Sequence, residues 1–279
     1  MTSILPHDIK EENKLRQWGQ PFLSSEDRIM EIISEGDVNG MIRIFNSEQE
    51  VARQIANEMK EHVISEANPV LCLASGSTPK KSYQLFATDM TGQHELKKVK
   101  FVSLDEWVGI RRELEGSCYQ MLNQDLFSHL ELKPQQIEFF DGTADDLLEE
   151  CSKIDRFIED HPITFSLIGV GMNGHIGLNE PGCQLLAHSS VVDLSETTKE
   201  VAQKYFSKPT KLEKGITLGL KQIRQSKRVI VAITGERKAE IVKEMAFLKE
   251  RKLPAQELLG YEHIDFYLDK AAAKHLKCN

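Results

Sequence analysis

The stretch Gly169 to Gly182 reads Gly-Val-Gly-Met-Asn-Gly-His-Ile-Gly-Leu-Asn-Glu-Pro-Gly. It places a histidine and a carboxylate, His175 and Glu180, five positions apart in a glycine-rich segment. A histidine beside a carboxylate can exchange protons near neutral pH. Glycines permit the sharp turns and close backbone approach that a ligand loop needs. The apolar run Ile163 to Val170 leads into the segment and reads as a buried strand. An open α/β sheet builds sites this way, with turns and polar groups at the carboxyl ends of its strands. The pattern points to an enzyme handling a small polar molecule.

Three more segments share this grammar. Ser75-Gly-Ser-Thr-Pro79 follows the apolar run Val70 to Ala74 and opens a helix. Backbone N–H groups and small hydroxyls at a helix start make a phosphate cradle of Ser75, Gly76, Ser77 and Thr78. A tight turn with Thr78 as N-cap suits the same residues. Neither the Walker pattern nor the dinucleotide pattern is present, which turns the reading from ATP or NAD toward a sugar phosphate. Asp105 and Glu106 follow the strand Val99 to Leu104. Adjacent side chains point in different directions, so one can face a cleft while the other packs or stays solvated. A carboxylate in a closed cleft has a raised pKa and can serve as a base. Two solvated loop acids are the other reading, weakened by the structured look of Trp107 and Gly109. Last, Lys214 precedes Gly-Ile-Thr-Leu-Gly219 and could pair with a phosphate.

Elements able to hold these groups alternate along the chain. Strands are expected at 41–45, 70–74, 99–104, 137–140, 163–170, 191–194, 228–234 and 264–268. Helices are expected from Ser47 to about 64, 78–87, 117–130, 144–160, 195–206, 236–248 and 270–276. Ser47 with Glu50 forms a capping box, and Pro79 suits a first helical turn. Near-continuous apolar strands alternating with helices imply a Rossmann-like three-layer αβα sandwich around a mostly parallel sheet. Residues 1–40 read as a polar N-terminal extension with one short helix after Ser25, and 41–279 as a single α/β domain.

The 279 residues are 40% hydrophobic and 28% charged, ordinary for a globular protein. A net charge of -8 argues against general nucleic-acid binding but leaves room for a local basic pocket. No apolar run reaches the roughly 18 residues that span a bilayer, and the N-terminus lacks an apolar signal core. A cytoplasmic protein without membrane or nucleic-acid partners is expected. The five cysteines are widely spaced, without a Cys-x-x-Cys pair. No metal and no cofactor is expected.

Taken together, the four segments resemble the glucosamine-6-phosphate deaminase (isomerase) family over roughly residues 40–270. The wording Asp-Glu-Trp-Val-Gly and Gly-Ile-Thr-Leu-Gly-Leu is similar to its galactosamine-6-phosphate isomerase branch. The resemblance implies conversion of a 2-amino-2-deoxyhexose 6-phosphate to a ketohexose 6-phosphate and ammonia. It implies that His175 assists ring opening, that Asp105 moves a proton from C2 to C1, and that Glu180 orients His175. Ser75 to Thr78 and Lys214 would hold the 6-phosphate.

Two departures stand out. Many members carry Asp two residues before the histidine; this chain has Asn173, which can hydrogen-bond but supplies no charge. Where some members place a phosphate-binding arginine, this chain offers Lys204, a point charge in place of a fork. The arginine tied to allosteric activation in some members has no counterpart near Ser189 and Ser190. Two alternatives stay open: a 6-phosphogluconolactonase, which shares the fold and needs no C2 base, and a non-catalytic sugar-phosphate sensor, suggested by Asn173. The N-terminal extension could serve an interface, which leaves a homo-oligomer open.

Overall fold

Ser47 opens the first long helix. Its Oγ accepts from the Glu50 N–H at 3.3 Å, while Glu50 reaches back to Asn46 N at 2.9 Å. Capping thus spans one residue more than the box expected. The helix buries Val51, Ile55, Met59 and Val63, a stripe spaced by one turn. In the computed structural model, which describes residues 28–31, 41–248 and 252–276, this helix is α1 (Glu48–Ser65). It is followed by α2 (Lys80–Met90), α3 (Cys118–Asp125), α4 (Leu147–Asp160), α5 (Glu196–Ala202), α6 (Leu220–Arg224) and α7 (Ala239–Phe247).

The strands are β1 (Arg28–Glu31), β2 (Met41–Phe45), β3 (Val70–Leu73), β4 (Lys100–Ser103), β5 (Asp105–Trp107) and β6 (Ile137–Glu138). They continue with β7 (Phe165–Gly169), β8 (Ser190–Asp193), β9 (Lys214–Thr217), β10 (Arg228–Ile233) and β11 (Ile264–Asp269). Eight form one sheet in the order β1-β2-β11-β10-β7-β3-β4-β6. Every pair is parallel except β1 with β2.

Alternation along the strands fills both faces. Val70, Cys72, Ile168, Val229, Val231, Ile264 and Phe266 pack with α4, α6 and α7 residues. Leu71, Leu73, Phe165, Leu167, Ile230 and Tyr267 pack with α1, α2 and α3 residues. A sheet covered on both sides needs the continuous apolar strands seen in the sequence, and the expected αβα sandwich is the architecture found.

From β3 the chain moves outward through β4 and β6, then returns to β7 on the opposite side of β3 and continues to β10 and β11. The order therefore reverses between β3 and β7, the place where open α/β sheets form ligand crevices. Ala74 N bonds Leu167 O at 2.8 Å, holding these two strand ends together.

A second, three-stranded antiparallel sheet, β5-β9-β8, was not foreseen. Asp105 pairs with Thr217 and Trp107 with Gly215. Its strands are only three or four residues long and two of them read as loops. Two helix expectations are also corrected. Arg28–Glu31 is a strand, because pairing with β2 satisfies backbone groups along an open edge; the rest of that expected helix lies outside the described residues. Residues 271–276 form turns, where Asp269 Oδ1 accepts from Ala272 N and from Gly235 N.

Candidate active site

Above the carboxyl ends of β3 and β7 lies a cavity of about 150 Å³, lined by Ser75 to Thr78, Asp105, Cys118, His175, Lys204, Tyr205 and Lys238. Its lining includes groups able to move protons. Asp105 is buried on β5. Burial pushes its carboxyl up to about 6, against a Cys118 hydrogen bond and the His175 charge. Such a base is ionised at neutral pH yet more basic than a solvated aspartate. Glu106 points the other way, fully buried, and accepts from Trp107 N, Cys118 N and Tyr119 N at 2.8, 2.9 and 3.0 Å. Of the two adjacent acids, Asp105 faces the cleft and Glu106 is packed.

His175 lies flat against Gly171: a Cβ at position 171 would come within 2.3–2.4 Å of the imidazole. Gly171 N also bonds His175 O at 2.9 Å. The ring Nδ1 is 3.1 Å from Thr198 Oγ1 and 3.7 Å from Glu180 Oε2. Burial works against the charge on Glu180. Hydrogen bonds from His175, Thr198 and Asn173 overcome it and hold the carboxyl down at about 2. Asn173 Nδ2 donates to Glu180 Oε2 at 2.8 Å and to Ser195 Oγ at 3.0 Å. Its Oδ1 accepts from His175 N at 3.3 Å. Glu180 Oε1 accepts from Ser195 N. The imidazole thus has an ionised carboxylate behind it and a cavity in front.

The small sheet fixes these two groups. Thr217, opposite Asp105 on β9, accepts from Leu178 N at 3.2 Å through Oγ1. Asn179 Nδ2 donates to Ile176 O and to Leu218 O, both at 2.9 Å. One strand therefore carries both the Asp105 ladder and the His175 loop.

The same lining carries cations. Gly76 holds φ +112°, and a Cβ there would meet Tyr205 Oη at 2.9 Å. Lys204 sits over the Tyr205 ring, 4.8 Å from its centroid. Lys238 donates to Val170 O. Burial first, and the neighbouring Lys204 second, lower its ammonium to about 8. Two lysines close enough to repel make a ready seat for an anion.

The family described as glucosamine-6-phosphate isomerases/6-phosphogluconolactonase matches residues 46–264. This chain belongs to that family. Within it, the chain is 35% identical over 233 residues to a glucosamine-6-phosphate deaminase of Clostridium perfringens, covering 82% of this chain and 96% of that one. It is 34% identical over 239 residues to the enzyme of that name from Streptococcus uberis, covering 85% and 99%. A solved monomeric glucosamine-6-phosphate deaminase superposes with a TM-score of 0.79 at 29% identity, covering 84% and 98%. The 6-phosphogluconolactonase of Trypanosoma brucei shares the fold, with a TM-score of 0.67 at 20% identity over 86% and 100%.

In this member of the isomerase/lactonase family, Ser75, Gly76, Ser77, Thr78, Asp105, His175 and Lys204 line one cleft. Asn173 and Glu180 stand behind His175, outside the lining. Lys214 requires correction. It starts β9 with a side chain 57% exposed, 3.7 Å from Asp193, and is not part of the cleft wall. It stands at the exposed start of the strand, while Gly215, Ile216 and Thr217 are buried. The N-cap reading of Thr78 also falls: α2 begins at Lys80 with Pro79 at the cap and no side-chain capping bond. Lys238 was missed. The available signal was its place in the turn between the buried strand β10 and a helix, the grammar already used for Ser75–Pro79.

Proposed function

We propose that the chain is a hexosamine-6-phosphate deaminase/isomerase. It converts glucosamine 6-phosphate or galactosamine 6-phosphate to a ketohexose 6-phosphate and ammonia. The observation that carries this reading is a single cleft whose lining holds Asp105 and His175 together with Lys204, Lys238 and the Ser75–Thr78 turn. The cations and turn hold the 6-phosphate, and that remote anchor positions C1 and C2.

His175 carries the proton of the anomeric hydroxyl to the ring oxygen, the bond from C1 to the ring oxygen breaks and an aldehyde forms, with Glu180 and Thr198 fixing the Nδ1 side of the imidazole. Asp105 then removes the C2 proton from the open-chain aldose while the aldehyde oxygen takes a proton from the 2-ammonium group, giving an enolamine, and returns the C2 proton at C1. The C2 amine becomes an imine; water adds to C2, the C–N bond breaks, and ammonia leaves a ketone. Asp105, pushed up to about 6, is ionised at pH 7 and can still carry the proton between steps. Asn173 supports the reading: its amide supplies the donor that ionised Glu180 accepts.

The deciding assay measures ammonia release from both amino-sugar phosphates, with wild type and Asp105→Asn. Wild type should release ammonia from at least one of the two sugars, and the variant should lose about 10²–10⁴-fold in kcat while still binding phosphosugar. Hydrolysis of a 6-phosphogluconolactone without ammonia would establish the lactonase instead. Phosphosugar binding by wild type without turnover would establish the sensor.

A further inference from the structure

We propose that Ser195 is a positioning residue for His175: its hydroxyl fixes the surroundings of the ring so that Nδ1 carries the proton and Nε2 is left bare for the substrate. What His175 does rests on the deaminase reading; how it is held rests on hydrogen bonds within the protein. Ser195 is the N-cap of α5, its Oγ accepting from Thr198 N at 3.2 Å. The same helix brings Thr197, Thr198 and Val201 to the cleft. One hydroxyl thus starts a helix of the cleft wall and reaches the groups behind the imidazole.

Each hydrogen in this cluster has one place to go. Asn173 Oδ1 accepts from His175 N at 3.3 Å, which fixes the way its amide faces. Both hydrogens of Asn173 Nδ2 are then spent, on Glu180 Oε2 at 2.8 Å and on Ser195 Oγ at 3.0 Å. Ser195 Oγ therefore accepts from Asn173 and from Thr198 N. Its own hydrogen goes to Thr198 Oγ1 at 3.0 Å. The Ser195 backbone N–H donates to Glu180 Oε1 at 3.2 Å. The hydroxyl and the backbone N–H of one residue thus hold Asn173, Glu180 and Thr198 around one nitrogen.

That nitrogen is His175 Nδ1. It lies 3.1 Å from Thr198 Oγ1 and 3.7 Å from Glu180 Oε2. An ionised carboxylate only accepts, and Thr198 Oγ1, held by the Ser195 hydroxyl, keeps a lone pair for a further donor. Both neighbours favour a hydrogen on Nδ1. A neutral imidazole has a single N–H, so Nε2 keeps its lone pair. That is the form able to take the proton of the anomeric hydroxyl in the proposed ring opening. Without the Ser195 hydroxyl, Thr198 Oγ1 is free to turn and Asn173 loses an acceptor, so the ring loses its fixed donor side.

The experiment compares Ser195→Gly with Ser195→Thr. Glycine caps a helix nearly as well as serine, so the first variant removes the hydroxyl and spares the start of α5. Nitrogen NMR of isotope-labelled histidine in mildly alkaline buffer, with His175 assigned by His175→Gln, reads which ring nitrogen bears the hydrogen. It is run alongside kcat, KM and thermal midpoint. Wild type should show the Nδ1–H form. In Ser195→Gly the ratio of that form to the Nε2–H form should fall about tenfold. Its kcat should fall about tenfold with KM within about twofold. Ser195→Thr, which keeps the hydroxyl, should match wild type in the ratio and recover most of kcat. A wild type in the Nε2–H form overturns the inference. So does an unmoved ratio in Ser195→Gly, or equal loss of kcat in both variants. If the glycine variant does not fold, Thr198→Val breaks the same line next to the ring with the cap in place, and the same ratio decides. The NMR measurement needs no turnover, so wild type that releases no ammonia overturns the proposed activity and leaves this result readable.

Discussion

Asn173 and His175 meet on one carboxylate oxygen: Glu180 Oε2 accepts from Asn173 Nδ2 at 2.8 Å and lies 3.7 Å from His175 Nδ1. The neutral amide is a donor where an aspartate would be a second anion. A carboxylate at position 173 would face Glu180 at hydrogen-bond distance, and two such groups cannot both ionise cheaply.

Asn173→Asp should therefore create a pair that holds a proton well above the ordinary carboxylate range. The sign follows: the folded variant binds more protons than the unfolded chain, so its stability relative to wild type falls as pH rises from 4 to 8. Urea unfolding across that range measures it. A constant difference would show that the two carboxylates do not couple.

Glu180→Gln should have the opposite dependence. The folded carboxyl lies at about 2, below its ordinary 4.5. A depressed value contributes stability that is fully present above the unfolded value and lost as pH falls toward 2. The contribution is on the order of 2–3 kcal/mol at neutral pH. Wild type should exceed the variant by about that amount at pH 7, and the gap should close between pH 4.5 and 2.

Gly171→Ala should separate folding from chemistry. The new Cβ would overlap the imidazole, and the ring must leave its place against position 171. Activity should fall at least about tenfold, with a thermal midpoint close to wild type because the clash is with a side chain at the cleft edge. Retained activity would mean that the position of His175 at Gly171 is dispensable.

Lys238 should announce phosphate binding through protons. Its ammonium is lowered to about 8, and a phosphate dianion alongside restores the charged form. Binding of the sugar phosphate at pH 8 should take up protons, measured by calorimetry in buffers of different ionisation enthalpy. Lys238→Met should abolish the uptake and weaken binding about 10–100-fold. Lys214→Met, outside the cleft, should change neither.

Much of this site was legible because its signals are local. Ser75–Pro79 and Gly169–Gly182 announce themselves by glycines and hydroxyls directly after apolar strands, and strand ends at a switch point need no long-range information. Lys238 was overlooked because its one local signal, a place in the turn after a buried strand, is shared by many solvated lysines; what distinguishes it is burial beside Lys204. Lys214 misled for the complementary reason. It was read as a phosphate partner ahead of Gly-Ile-Thr, and these residues form a strand in which Lys214 pairs with Asp193 of β8. The small sheet joins segments more than a hundred residues apart in sequence, a pairing that no local pattern encodes.

That small sheet has a consequence for how the molecule could diversify. Asp105 hangs from its ladder directly, and the His175 loop is latched to the same strand through Thr217 and Asn179. The spacing of the two reactive groups is thus a property of a stiff truss. Val201 at the end of α5 and Tyr205 just after it line the same cleft without belonging to that sheet. Randomising Val201 and Tyr205 therefore gives a library that reshapes the cleft wall while the ladder carrying Asp105 and the latch on the His175 loop stay as they are.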